Sequence, residues 1–366
     1  MTNELEPQRT SLDPVTIHAD LSEWIIKVTG ETNAIISEFD RPSGSGMSSE
    51  TLLFESTWGE AENEVHKKLV ARLAPTDQDI PVFPNYNLSS QVKVMKLVEQ
   101  LTDIKVPKVL WEEASIDVLG VPFFVMEQIQ GRVPPDIPPY VFGGWLFDAT
   151  PESQLQLQEL CVGIIAQLHQ IKQKSPDTDF LEFHTKGDTA LKRHFTNQKE
   201  YYYWVVQDSR QHPVIEQAFD WLESHWPEES ESVLSWGDAR IGNIMFDSKT
   251  LEPVAVLDWE MAGLAPVEVD LGWMIFMHKF FQLIAEALEF PGMPKFMTSR
   301  DVTSKFTDLT GIVPKNIDWF EIYAATRHAI IMSRINDRSV HFGESEWTDD
   351  VDSSIPHRDY LWSRIQ

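Results

Sequence analysis

The sequence predicts an α+β fold, with a strand-rich first third followed by a larger, mostly helical remainder. Three observations carry this. Apolar residues between positions 35 and 127 fall in short runs bounded by turn residues, the spacing of strands. From about residue 150 they recur at three- and four-residue steps, the spacing of helices. Between the two, Pro134, Pro135, Pro138 and Pro139 follow Gly131, a tract that suits neither helix interior nor central strand. At 366 residues the chain is long enough for two lobes.

Residues 1–20 read as a polar arm and Leu21 to Val28 as a short helix. Ile35 to Phe39, a loop rich in Ser and Gly (Pro42 to Ser49), and Glu50 to Glu55 read as strand, loop, strand. Leu69 to Leu73 is a further strand ended by Pro75. Gln91 to Leu101 carries Val94, Met95, Leu97, Val98 and Leu101 at helical spacing. Val109 to Trp111 and Pro122 to Glu127 complete the sheet. Thr150-Pro151-Glu152 opens a helix, because a hydroxyl caps it and Pro suits its first position. Further helices are predicted at Val214 to Ser224, Val269 to Phe290, Ser299 to Thr310 and Trp319 to Ile335. The tail from about Ser339 is acidic and weakly patterned.

Charge narrows the function classes. Lys and Arg number 30 against 57 Asp and Glu, a net charge of −27 that repels nucleic acid and anionic membranes. The excess acid is a solvated surface or an attraction for a cationic substrate. Cys161 is the only cysteine, which excludes a disulfide framework and fits a reducing cytoplasm. The N-terminus lacks the basic start and apolar core of a signal peptide, and no run reaches membrane-helix length. The sequence has no Gly-x-x-x-x-Gly-Lys-Ser/Thr loop, Gly-x-Ser-x-Gly elbow or His-Glu-x-x-His pair.

The chemistry concentrates in Trp236-Gly237-Asp238-Ala239-Arg240-Ile241-Gly242-Asn243 and in Val254 to Glu260. Two apolar runs, Asn243 to Phe246 and Val254 to Leu257, flank a polar segment and predict a hairpin with Asn243 and Asp258 at one end. Phosphoryl transfer needs a carboxylate to orient a hydroxyl and oxygen ligands for magnesium. Asp238 fits the first role, and Asn243 with Asp258 the second. The Asp-to-Asn spacing equals that of the protein-kinase catalytic loop.

At these residues the sequence resembles the aminoglycoside phosphotransferase-like kinases (the aminoglycoside phosphotransferase and choline kinase group of the protein-kinase-like superfamily). It carries Trp236-Gly237-Asp238, Asn243, Asp258-Trp259-Glu260, Gly263, Pro266 and Asp270-Leu271. The resemblance implies a bilobal fold: an N-lobe at 21–127 with an antiparallel sheet and a helix, and a mostly helical C-lobe at 128–366. It also implies ATP and Mg²⁺ as cofactors, Asp238 as base, Asn243 and Asp258 as metal ligands, and Asp270 as a structural carboxylate. Arg240 would face the transferring phosphate, or else be a surface arginine. Trp236 stands where the family has His, and can support the loop by packing but without the same hydrogen bonds.

Gly44, Gly46, Ser48 and Ser49 would cover the ATP phosphates, or form a plain hairpin turn. Arg72 stands at the place of the strand lysine, and Gln91 at that of its helix glutamate. Phe124 to Gln128 would be the hinge, with Met126 and Gln128 against adenine. His169 reads as a packing histidine. The Pro-rich loop, Trp145 and the helices after Asp270 would shape the acceptor pocket. The implied function is transfer of the γ-phosphate to a hydroxyl of an aminoglycoside-like molecule or a hydroxylated metabolite. The alternative is a nucleotide-binding pseudokinase acting as a regulatory module. Oligomeric state is not readable.

Overall fold

The computed structural model describes residues 11–41, 49–173 and 177–366. The chain forms two compact units, Met1–Lys96 with Pro107–Ile129, and Leu97–Val106 with Gln130–Gln366.

In the first unit, α1 (Pro14–Thr29) precedes β1 (Ile35–Ile36), β2 (Glu50–Trp58) and β3 (Val65–Leu73). Then come α2 (Leu88–Leu101), whose last turn belongs to the second unit, β4 (Val109–Glu113) and β5 (Phe123–Glu127). The five strands form one antiparallel sheet in the order β1-β2-β3-β5-β4. The polar arm expected to residue 20 is corrected. Helix α1 begins at Pro14, because Asp13 accepts a hydrogen bond from Thr16 N at 2.9 Å and Pro14 suits the first turn. Ile17, Leu21, Trp24 and Ile25 then share one buried stripe. Trp24 meets Phe123 of the sheet edge-on at 4.7 Å between ring centroids.

The second unit contains α3 (Pro151–Leu168), α4 (Ala190–Val206), α5 (Pro213–Ser224), β6 (Ser232–Ser235), β7 (Ile244–Phe246), β8 (Pro253–Val256) and β9 (Gly263–Pro266). It ends with α6 (Glu268–Ala287), α7 (Ser299–Thr310), α8 (Ile317–His341) and α9 (Arg358–Ile365). The hairpin expectation holds: β7 and β8 pair antiparallel, with Ile244 opposite Val256. The α3 cap also holds, Thr150 Oγ1 accepting from Ser153 N at 3.2 Å. Strand β6 pairs with β9, which brings the start of the 236–243 loop beside the segment leading into α6. Helix α6 is buried on nearly every side. It stops at Ala287, short of the Phe290 expected.

The tail is more ordered than its composition predicts. Helix α8 runs on to His341, and α9 docks Leu361 inward, with a hydrogen bond between His357 Nε2 and Ala325 O at 2.9 Å. No helix among the described residues is long and apolar enough to cross a membrane. Cys161 is buried, and burial pushes its thiol up.

Candidate active site

The loop after β6 is built around Gly237 and Asp270. Gly237 has φ +87°, and a Cβ there would run into the backbone carbonyl of Met261. Only glycine combines that torsion with so close an approach. Asp270, in the first turn of α6, accepts from Ser235 Oγ at 2.8 Å, Trp236 N at 2.8 Å and Gly237 N at 2.9 Å. Burial raises its pKa, and these three donors oppose the rise. It is a structural carboxylate holding the loop backbone, in line with the expectation.

Asp238 follows, half-buried, with donors on both carboxylate oxygens. Oδ1 accepts from Trp273 Nε1 at 2.7 Å, and Oδ2 from Asn243 Nδ2 at 2.6 Å. Arg240 Nε lies 3.1 Å from Oδ1 and 3.0 Å from Oδ2. Asn243 Nδ2 also reaches Asp238 O at 3.1 Å. Only the amide nitrogen can donate there, so the Asn243 Oδ1 is the atom turned away from Asp238.

Arg240 points inward. Its Nη1 donates to Asp136 Oδ2, so the guanidinium bridges two carboxylates, Asp238 and Asp136. Burial alone would lower its pKa, but the two carboxylates raise it further, and Arg240 is a fixed cation. Asp136 comes from the Pro-rich loop. Gly242 leaves room for this pair, since a Cβ there would lie 2.6 Å from Arg240 Nη1 and 2.8 Å from Asp136 Oδ1.

Trp236 does more than pack. Its indole Nε1 donates to Leu257 O at 2.9 Å and Asp258 O at 3.1 Å, and its ring lies 5.7 Å from that of Trp259. The Trp that replaces the family's His thus ties the loop to the end of the hairpin through hydrogen bonds as well as packing, a stronger support than the sequence predicts. The Leu257 N bond to Asn243 O, 2.9 Å, joins the same two segments. Asp258 sits at φ +57°, a left-handed turn that ends the hairpin strand.

The donor types here, one amide and one carboxylate, are ones that a magnesium ion takes. Asn243 offers an amide oxygen that receives no hydrogen bond among the described residues, and Asp258 follows on the adjacent strand end. Among the described residues no group of three or more His, Cys, Asp or Glu could form an all-protein cage. One carboxylate and one amide suit a cation that completes its shell with phosphate oxygens and water.

Beside Arg240 lies a cavity of about 10 Å³, the size of one water molecule. Its walls include Tyr140, Met274, Met277, His278, Phe281 and Met297. Tyr140 O–H donates to His278 Nδ1 at 2.9 Å, and His278 Nε2–H donates to Met293 O at 3.0 Å, which fixes the tautomer. Burial holds His278 neutral, with its pKa lowered to about 4. Trp145, expected to shape an acceptor pocket, packs edge-on against Phe246, with Arg132 4.0 Å over its ring. His169 is a packing residue, edge-on to Phe306 at 5.6 Å.

In the first unit, Gly44, Gly46 and Ser48 lie outside the described residues. Ser49 is buried at the start of β2. Arg72 lies on β3 opposite Thr51, and its Nη1 donates to Thr51 Oγ1 at 3.0 Å. Gln91 is buried on α2. Met126 pairs with Val70 in the sheet, and Gln128 N donates to Lys68 O at 2.9 Å. That N–H is therefore taken by the sheet.

Three residues of the site escape sequence reasoning: Asp136, Trp273 and Arg327. Arg327, buried on α8, donates from Nη2 to Gly237 O at 3.1 Å and stacks 4.5 Å from the Trp273 ring. The one signal that points to any of them is spacing. Trp273 lies three residues after Asp270 and so shares its helix face.

Comparison with known proteins agrees with this architecture. The profile of the phosphotransferase enzyme family matches residues 52–290. A crystal structure from Ralstonia eutropha JMP134, described as a candidate aminoglycoside phosphotransferase, covers 95% of this chain and 97% of its own. It does so at 19% identity and a TM-score of 0.63. The aminoglycoside phosphotransferase APH(4)-Ia, as a thermostable variant with AMP-PNP and hygromycin B, covers 94% and 98% at 14% identity and a TM-score of 0.53. At such identities the likeness is one of fold. Human acyl-CoA dehydrogenase family member 11 is 29% identical over 188 residues, 51% of this chain and 22% of that protein. Mouse acyl-CoA dehydrogenase family member 10 is 24% identical over 207 residues, 57% and 18%. The chain thus spans about a fifth of the length of these curated relatives. With its kinase-like α+β fold and the family profile spanning most of its length, the chain belongs to the phosphotransferase enzyme family.

Proposed function

We propose that the protein transfers the γ-phosphate of ATP to a hydroxyl of a small molecule, with Asp238 as base. The observation that carries this reading is the Asp238 carboxylate itself. It is half-buried, held by Trp273 on one oxygen, Asn243 on the other and Arg240 across both, and adjoins the hairpin end that bears Asn243 and Asp258. The acceptor oxygen forms a bond to the γ-phosphorus while the bond from that phosphorus to the bridging oxygen of ADP breaks. The hydroxyl proton passes to Asp238, and ADP leaves with the electron pair. Arg240, a fixed cation against Asp238, offsets charge that builds on the phosphoryl oxygens. Magnesium, when held by Asn243 and Asp258, would neutralise the phosphates and orient them. Ser49, Arg72, Met126 and Gln128, with Gly44, Gly46 and Ser48, are the candidate nucleotide contacts in the first unit.

The cavity beside Arg240 holds about one water molecule and so does not separate a hydroxylated metabolite from an aminoglycoside as the acceptor.

The test is turnover of magnesium-ATP, followed by a mass-shift screen of hydroxylated metabolites and aminoglycosides. Turnover lost in Asp238→Asn and Asp258→Ala is expected. Nucleotide binding without turnover across the whole panel would refute the enzyme and leave a pseudokinase.

A further inference from the structure

We propose that Trp273 is a positioning residue for phosphoryl transfer, its indole N–H aiming the Asp238 carboxylate while Arg327 braces the ring. The inference rests on the reading of Asp238 as base.

The end torsion of an aspartate is soft, and a lone carboxylate swings broadly about it. A base that must meet one hydroxyl proton gains from being held. Asp238 is held at both oxygens, by Trp273 Nε1 on Oδ1 at 2.7 Å and Asn243 Nδ2 on Oδ2 at 2.6 Å. Arg240 Nε spans both oxygens at longer range and cannot by itself choose a twist. Trp273 is also a neutral donor. It orients the carboxylate without setting another cation against the atom that must accept a proton.

The mounting of Trp273 supports a positioning role. It lies on α6 three residues after Asp270, so one rigid helix holds the backbone at Trp236 and Gly237 and also the side chain at Asp238. Arg327 closes the assembly from α8, with its guanidinium over the Trp273 ring at 4.5 Å and Nη2 donating to Gly237 O at 3.1 Å. Its Nε and Nη1 are buried without hydrogen-bond partners. A buried cation so sparsely satisfied is a costly way to stabilise a core. Its placement makes sense as a brace, because it touches the loop backbone and the ring that holds the carboxylate.

The experiment uses the full chain and magnesium-ATP, with water as phosphoryl acceptor. Trp273→Phe keeps the packing and removes the N–H. We expect kcat to fall about 10- to 100-fold, the weight of one hydrogen bond to a charged group, with KM for ATP within about threefold of wild type. A second measurement needs no Trp273 variant. Among the thirteen indole N–H signals of the ¹⁵N-labelled protein, one should lie far downfield and shift strongly in Asp238→Ala. An active wild type beside an equally active Trp273→Phe, or indole signals unmoved in Asp238→Ala, would overturn the positioning role alone. Wild-type protein without any Asp238-dependent turnover, with water or with any acceptor of the panel, would overturn the phosphotransfer reading beneath it.

Discussion

Asp270 receives three hydrogen bonds from the loop that carries Asp238, and its removal tests whether one buried carboxylate holds that loop. In Asp270→Ala the N–H groups of Trp236 and Gly237 lose their acceptor in a site closed to water, while the Ser235 hydroxyl can rotate. Two orphaned backbone donors cost about 1–3 kcal/mol each, and relief from burying a charge returns part of that, for a net loss of about 3 kcal/mol. In Asp270→Asn the amide oxygen can keep Ser235 and Gly237. The amide nitrogen then faces Trp236 N–H, donor against donor, and one group is orphaned for about 1–2 kcal/mol. The sign with pH follows from burial, which raises the folded pKa above the ordinary 3.8. The stability tied to that proton is fully present below 3.8 and is lost as pH rises through the raised value. The penalty of Asp270→Asn relative to wild type should therefore be smaller at about pH 7 than near pH 4. Urea unfolding of wild type and both variants at the two pH values, extrapolated to water, measures all three quantities. An alanine variant within about 0.5 kcal/mol of wild type, or an asparagine variant as damaged as alanine, would refute the reasoning.

Gly237→Ala should destabilise the protein by more than about 3 kcal/mol, because the positive φ and the collision with the Met261 carbonyl act together; a thermal melt of the variant within about 2 °C of wild type would contradict this. Asn243→Asp keeps an oxygen for a cation but sets a carboxylate against Asp238, so ATP turnover should fall at least about 100-fold, and a near-wild-type rate would discount the amide donor. Acid should weaken the second unit through His278 and His357, both held by burial near pKa 4. Because the unfolded chain takes up these protons first, each costs roughly 3 kcal/mol between about pH 6.5 and 4, with none lost above that range. His278→Gln should flatten its share of the slope, and an unchanged acid limb of stability would count against it.

Short-range features of this chain are legible in neighbouring residues alone. The Thr150-Pro151 cap, the limits of Ser299–Thr310 and the β7–β8 hairpin belong to this group, because capping and turn chemistry act over a few positions. The closeness of Asp238 and Asn243, and of Asn243 to the strand end before Asp258, is legible for the same reason, since a short loop and one hairpin connect these segments. Helix α4 gives a fainter signal, because its stripe Leu191, Phe195, Tyr202 and Val205 keeps helical spacing but is interrupted by buried polar His194 and Gln198. The tail helix α9 is short and becomes stable only against α8 and α5.

By itself, then, the sequence determined the strand-rich first part, most of the helices that follow and the local loop that carries the candidate reactive groups. Only the tertiary structure decided what surrounds the Asp238 carboxylate. Trp273 reaches it from 35 positions away, Asp136 grips Arg240 across 104, and Arg327 meets Gly237 across 90. No local pattern encodes such pairs. Their partners are chosen when α6, α8 and the Pro-rich loop pack, and buried polar groups must then find one another or remain unsatisfied.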